Sequence, residues 1–366
     1  MQNNIKILQF GKFYPPDIGG IEVVMEDICD GINAKHIQCD VLCSNSKNYY
    51  QEDITALNAK IFRTASFGKI ASTSISPQMI FKLRELISQY DIIHVHLPDP
   101  MATLALFLSP HKTKKIILHW HSDIINQKFL LNFFLPLQNW ILKRANKIIA
   151  TSEKYILESP YLSKYKEKCI CIPIGINMPT PSKKPSKQSN IILSVGRLVT
   201  WKGFEYLIES LKFLPQNFQV QIIGEGNQDY KKRLLDLIYT QKLEDRVFLL
   251  GKKNKEELAK LYENANCFVL PSYQESFGIV LLEAMHYSLP LVCAKFAPSG
   301  SDWINQDNIT GFVVSPKDSK AIAQAILKIQ ENYDFLSNNA HQRFQALFTK
   351  EKMIEKVAQL YLNLSK

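Results

Sequence analysis

Short apolar runs alternate with helical stretches along almost the whole chain, and that rhythm leaves few folds open to it. Candidate strands lie at 5–9, 38–43, 60–63, 91–95, 115–119 and 146–150, with helical stretches between them, at 78–89 and 100–108 for example. Cys169 and Cys171 alternate within a further apolar run and read as strand residues. Such alternation predicts a parallel sheet with helices on both faces. At 179–189 the composition changes to PTPSKKPSKQS, polar, basic and proline-rich, which reads as an interdomain linker. The rhythm then resumes, with strands expected at 191–195, 219–223, 246–250, 266–270 and 289–293. In the helix at 204–213, Phe204, Leu207, Ile208 and Leu211 recur at the spacing of one buried face. A length of 366 residues with 46% apolar content suits two α/β domains, at 1–178 and 190–349. The last stretch, 350–364, sets Met353, Val357, Leu360 and Tyr361 on one helical face.

Several classes fall away at once. The seven cysteines are scattered, with no C-x-x-C and no His/Cys cluster at zinc spacing, which argues for a reducing compartment without disulfides or a structural metal. The N-terminus enters a strand directly and has no signal-peptide core, so a cytoplasmic protein is expected. No run reaches the roughly 18 uncharged apolar residues of a spanning helix. The stretch 128–144, KFLLNFFLPLQNWILKR, reads equally as an interfacial helix with basic ends or as a core helix kinked at Pro136. Residues 1–187 hold 23 Lys+Arg against 15 Asp+Glu, or +8, whereas 188–366 hold 21 against 19, or +2. A basic first half suits an anionic partner such as a phospholipid surface or a lipid diphosphate, and also plain solubility charge. The chain lacks the aromatic-plus-basic platform that single-stranded nucleic acid needs, so no nucleic-acid partner is expected.

Five groups of residues carry chemistry. A glycine-rich loop at 11–20 joins the first strand to a helix with Val24, Ile28 and Ile32 on one face. Strand, such a loop and a helix bring backbone amides to a phosphate, although an ordinary turn also looks like this. The loop is not G-x-G-x-x-G, so a dinucleotide fold is not the first choice. Two strand ends carry His94 and His96, and His119 and His121, where open α/β sheets bind ligands. His94 and His96 alternate and are expected to face opposite sides, which makes the His121-Ser122-Asp123 end the better candidate. No carboxylate completes a metal set with these histidines at short spacing, and no D-x-D occurs, so no metal is expected. Arg197 and Lys202 flank a strand-to-helix turn, where two cations can neutralise a diphosphate. Gly224-Glu225-Gly226 and Gly251-Lys252 end the next two strands and offer phosphate or base contacts. Last comes PSYQESFGIVLLEAMH at 271–286. Ser276 is expected to cap a helix that buries Ile279, Leu282 and Met285, leaving the amides of Phe277, Gly278 and Ile279 open to a ligand. Glu275 then sits in the mouth of that site and Glu283 about two turns on, so each acid can hold a different part of one elongated ligand.

In this order the motifs resemble those of the retaining GT-B glycosyltransferases of family 4: PP-x-x-GG-IE, H-S-D-I preceded by D-I-I-H-x-H-x-P, G-R-x4-K-G, E-x7-E and N-x-T-G-x-V-V. The resemblance covers nearly the whole chain. It implies two Rossmann-like doubly wound domains facing across a cleft, with the last helix (350–366) crossing back to an acceptor-binding first domain. It implies that Gly19 and Gly20 approach the donor diphosphate, and that His121 touches the donor sugar. Arg197 and Lys202 would stabilise the departing nucleoside diphosphate, Glu275 would bind sugar hydroxyls and Glu283 the ribose, while Gly251 and Lys252 lie against the base. H-S-D-I resembles the branch that includes mannosyltransferases of bacterial surface polysaccharides and suggests GDP-mannose as donor, a UDP-sugar second. The family implies transfer with retention and no cofactor or metal, and the basic first half fits a glycan or lipid-diphosphate-linked acceptor at the inner membrane face. The segment CAKFAPSGSD at 293–302 departs from the threonine- and glycine-rich loop expected there, although Ser299, Gly300 and Ser301 retain amides to offer. The rivals are a sugar-nucleotide epimerase or hydrolase, which needs no acceptor, and a non-catalytic partner subunit, against which intact Arg197, Lys202, Glu275 and Glu283 stand.

Overall fold

A computed structural model describes residues 5–17, 19–70, 73–124, 128–183 and 187–365. Ile18 of the glycine-rich loop and residues 184–186 of the basic segment lie outside the described residues. By its internal contacts the chain forms two compact units, Met1–Ile174 with Lys350–Lys366, and Gly175–Thr349.

Unit 1 is built on β1 (Lys6–Phe10), β2 (Gln38–Ser44), β3 (Gln51–Ile54), β4 (Lys60–Thr64), a short β5 (Lys69–Ile70) and β6 (Thr73–Ser74), β7 (Ile92–Leu97), β8 (Lys115–Trp120), β9 (Lys147–Ala150) and β10 (Cys169–Cys171). Eight of these form one sheet in the order β10-β9-β8-β7-β1-β2-β4-β3. Every pairing in it is parallel except β3 with β4. The sequence QEDI of β3 carries no apolar alternation because the strand is an edge with a wet face, and pattern reading missed it. The helix Gly20–Asn33 packs by Val24, Met25, Ile28, Cys29 and Ile32.

The closing helix, Lys350–Leu364, belongs to unit 1 and buries Met353, Ile354, Val357, Ala358, Leu360 and Tyr361. Gly31 explains how closely it approaches. A Cβ at Gly31 would lie 2.2 Å from Ile354 Cδ1, so only glycine leaves room for the Ile354 side chain. Lys350 adds an ion pair with Asp27.

Unit 2 has β11 (Ile191–Val195), β12 (Gln219–Ile223), β13 (Val247–Leu249), β14 (Cys267–Leu270), β15 (Leu291–Ala294) and β16 (Gly311–Val314), all parallel, in the order β13-β12-β11-β14-β15-β16. Its core gathers Phe204, Leu207, Ile208 and Leu211 from the helical stretch read from the sequence, with Ile322, Ile326 and Ile329 from Ser319–Glu331. The basic segment differs from a free linker. Ser182 bonds Glu263 through its amide (2.5 Å) and hydroxyl (2.8 Å), and His286 and Tyr287 both reach the Pro179 carbonyl. Ser189 Oγ bonds the Asn264 carbonyl at 2.7 Å. Polar and proline-rich composition signals a lack of core residues, and such a segment can still be fastened by hydrogen bonds.

Candidate active site

In unit 2 the chain lays down β11, β12 and β13 toward one edge and then returns to place β14 on the other side of β11. Loops leaving β11 and β14 therefore diverge at a topological switch point, where doubly wound sheets hold ligands. The β11 loop carries Arg197 and Lys202, and the β14 loop carries Glu275. The two loops touch. Tyr273 N donates to the Trp201 carbonyl at 3.0 Å. Gly203 has φ +67°, and a Cβ there would meet Pro271 O at 2.6 Å. This approach brings Lys202 Nζ to 2.5 Å from Glu275 Oε2, with both side chains mostly covered. Arg197 is exposed, and its guanidinium has no partner among the described residues.

Gly224 lies close by, with φ +141°, and its Cβ would fall 1.9 Å from the Gly196 carbonyl oxygen. Leu198 N bonds the Glu225 carbonyl, and Asn227 N bonds the Leu198 carbonyl. The glycines at 224 and 226 are thus explained by backing the Arg197 loop rather than by an opening for phosphate. Gly251, at φ +69°, faces open space apart from Glu225, and Lys252 is exposed beside it.

The helix after β14 runs Ile279–His286, and its N-cap is Gly278 in the left-handed region at φ +92°. Ser276 does not cap it. The Ser276 carbonyl instead accepts from Gly300 N at 2.8 Å, and Phe277 is buried beneath Gly300. Ile279 is only partly buried, and Leu281, Leu282, Ala284 and Met285 form the inner face. Of the amides expected from 299–301, Gly300 N is spent on Ser276 and Ser301 N bonds Ser299 Oγ at 3.1 Å. Glu283 accepts a 2.7 Å hydrogen bond from Tyr262 OH, whose ring stacks on Tyr287. Burial pushes the Glu283 carboxyl above its usual range, and the Tyr262 hydroxyl works against that rise.

Unit 1 has its own switch point, between β1 and β7. Gly19 precedes the first helix in extended conformation, with no side-chain cap. A Cβ at Gly19 would lie 2.2 Å from Glu22 Oε2, so the Glu22 carboxylate folds back over the helix start where a donor phosphate was expected. Burial raises the Glu22 carboxyl, against a hydrogen bond from its own backbone. Burial likewise lowers Lys12, against the attraction of Asp99 and Glu22. Asp99 caps the helix Pro100–Phe107 by accepting from Met101 N and Ala102 N, and burial lifts it to about 6. Asp followed by Pro at a helix start signals such a cap.

The four histidines stand on one face and stack. His94 and His96 rings are 4.8 Å apart, His96 and His119 5.1 Å, and His119 and His121 4.2 Å. The expectation that His94 and His96 face opposite sides is wrong, because strand residues two apart share a face. All four are buried, and burial lowers each below the usual imidazole range, His121 to about 3. Nitrogens of His94, His96 and His119 lie within 4.8 Å of one another. They are ill-suited to an ion as they stand, since both His96 nitrogens are engaged and the ring planes are near parallel. Asp123 does not pair with His121. It accepts from Trp120 Nε1 (2.8 Å) and Ser159 Oγ (3.0 Å). Sequence reading missed Gln9 and Tyr361, which bond these histidines. A lone amide within the apolar strand IKILQF was the available signal.

Two α/β units on mainly parallel sheets, each with a switch point, are the architecture of a GT-B protein, and the chain's structural neighbours are GT-B glycosyltransferases. Residues 18–177 match the family model described as Glycosyltransferase Family 4, and residues 180–345 that described as Glycosyl transferases group 1. The O-antigen chain mannosyltransferase C of Escherichia coli is 28% identical over 97% of each chain. The D-rhamnosyltransferase WbpZ of Pseudomonas aeruginosa is 28% identical over 94% of this chain and 92% of its own. Among solved structures, sucrose-phosphate synthase from Thermosynechococcus elongatus superposes with TM-score 0.79 at 23% identity, covering 98% and 99% of the two chains. Anabaena Alr3699/HepE in complex with UDP-glucose gives 0.77 at 20%, covering 98% and 100%. The chain belongs to the GT-B glycosyltransferases built from this group 1 and family 4 pair of domains.

Proposed function

We propose that the protein is a retaining, metal-independent hexosyltransferase of cell-surface polysaccharide assembly. It moves a sugar from a nucleotide-sugar, GDP-mannose first and a UDP-sugar second, to a glycan or lipid-diphosphate-linked acceptor. The observation that carries this reading is the exposed Arg197, unpartnered among the described residues, on the same loop as the Lys202 of the Lys202–Glu275 pair at the switch point of unit 2. Arg197 grips the leaving diphosphate with its fork and Lys202 adds a point charge, so negative charge is stabilised as it develops. Glu275 offers carboxylate oxygen to sugar hydroxyls, and Glu283, oriented by Tyr262, accepts from ribose hydroxyls. The leaving diphosphate takes the acceptor proton through an ion-pair-like transition state, and Glu275 and Glu283 bind rather than attack. The mannosyl and rhamnosyl relatives support a mannose-type sugar, and the neighbour solved with UDP-glucose supports a nucleotide-sugar donor.

On the same reading unit 1 works against an anionic membrane surface. Among the described residues no helix is long and apolar enough to cross a membrane. Leu104, Phe107, Leu108 and Phe133 are exposed on or next to the helices Pro100–Phe107 and Lys128–Arg144, which pack together with Phe107 edge-on to Trp140. Exposed Lys143 lies on the second of these helices, and exposed Lys112 in the turn that follows the first. Binding to anionic vesicles should weaken as salt rises, and binding indifferent to both salt and lipid charge would remove this part.

The main test is a thermal-shift panel of GDP-mannose, UDP-glucose, UDP-GlcNAc, UDP-galactose, GDP and UDP on wild type and Arg197→Ala. A donor at 100 times its Kd adds about 2.7 kcal/mol. A selective shift lost in the variant is expected. No shift with any nucleotide would favour the partner-subunit reading, and donor turnover without acceptor would mark a hydrolase or epimerase.

A further inference from the structure

We infer that Gln9, His96 and Tyr361 are positioning residues that fix the tautomer of His121, with the proton on Nε2 and a bare Nδ1 presented as an acceptor. A chain of hydrogen bonds carries the inference. Gln9 Oε1 lies 2.6 Å from His96 Nε2, His96 Nδ1 lies 3.0 Å from His121 Nε2, Gln9 Nε2 lies 2.7 Å from Tyr361 OH, and that hydroxyl lies 2.5 Å from His94 Nδ1.

Each link has one direction once Gln9 is set. The amide oxygen carries no proton, so His96 Nε2 must donate to it. His96 is buried and held neutral, so its Nδ1 is bare and accepts. The proton of the next bond then comes from His121 Nε2. His121 is also neutral, which leaves its Nδ1 without a proton. That nitrogen has no partner among the described residues. At the other end, Tyr361 OH accepts from Gln9 Nε2 and sends its own proton to His94 Nδ1. The Gln9 amide also donates toward Cys39 Sγ at 3.7 Å, a second contact that suits nitrogen on that side.

The elements explain why the chain is continuous. Gln9 on β1 pairs with His94 on β7, and His96 pairs with His119 on β8 two residues before His121. Tyr361 comes from the closing helix, Lys350–Leu364, seated on unit 1 through Gly31. The closing helix, far along the sequence, thus holds one end of a polar chain whose other end is the candidate site.

A bare Nδ1 accepts from a hydroxyl and cannot donate to a ring or bridging oxygen. Its ligand is therefore a sugar hydroxyl, a step that rests on the glycosyltransferase reading given above. The tautomer itself does not depend on that reading.

The test is a long-range proton–nitrogen NMR spectrum of the full chain labelled at histidine, with His121 assigned by loss of its signals in His121→Asn. Wild type without ligand should show His121 as a single Nε2–H tautomer. Gln9→Leu and Tyr361→Phe should each turn it into a mixture, and turnover should fall about tenfold, the scale of lost outer supports. A proton on Nδ1 in wild type overturns the inference. So does a His121 tautomer unchanged in either folded variant. If Gln9→Leu does not fold, Tyr361→Phe and the wild-type spectrum still decide it. If no sugar is transferred by any form, the spectrum stands by itself and only the reading of the site fails.

Discussion

Acid should unfold unit 1 well before unit 2, because unit 1 buries four neutral imidazoles in one stack. An unfolded histidine titrates near 6.5. In the fold His121 is lowered to about 3, and His94, His96 and His119 are lowered well below the usual value by burial and by one another. Below about pH 6.5 the unfolded chain therefore holds more protons than the folded one, and stability falls as pH falls. Above that pH the contribution is complete. At about pH 5.5 each histidine costs a little over 1 kcal/mol, on the order of 5 kcal/mol for the stack. Asp99, lifted to about 6, works in the opposite sense by under about 1 kcal/mol at that pH, and the raised Glu22, Asp30 and Asp123 act in the same direction as Asp99. The net loss is a large share of the roughly 5–15 kcal/mol that holds a domain folded. Hydrogen exchange read by mass spectrometry at about pH 7.5 and 5.5, corrected for intrinsic rates, reports the two units separately. Peptides from β1, β7 and β8 should lose protection selectively. His119→Leu should reduce the pH slope by about a quarter, since both ring nitrogens of His119 are buried without hydrogen-bond partners among the described residues. Equal loss in β11 and β14 peptides, or no loss in unit 1, would refute the reasoning.

Other substitutions probe separate contacts. Gly224→Ala must place a Cβ against the Gly196 carbonyl at a strained φ, so it should cost unit 2 more than about 2 kcal/mol in denaturant melts and weaken donor binding through the Arg197 loop. Lys202→Ala should leave the protein folded but lower turnover about 100-fold, measured with saturating donor, because a charge facing the leaving group is gone. Gly31→Val should push the closing helix off the first helix, costing about 1–3 kcal/mol and raising amide exchange across 350–364.

Much of the molecule was legible in one dimension. The alternation of apolar runs and helical stretches set two doubly wound sheets, because strand and helix periods are local properties of the chain. The spacing of Arg197 to Lys202 and of Glu275 to Glu283 was likewise local and carried the resemblance to the family, whereas the meeting of Lys202 with Glu275, 73 residues on, was not. The face occupied by Met353, Val357, Leu360 and Tyr361 could be read too, but not what Tyr361 does, since its partner Gln9 is 352 residues away. The same limit applies to Gly300 taking the Ser276 carbonyl from a separate loop. A sequence states which groups can donate and accept. Which donor meets which acceptor depends on strand order and on side chains brought together from distant segments, and only the packed tertiary structure decides that.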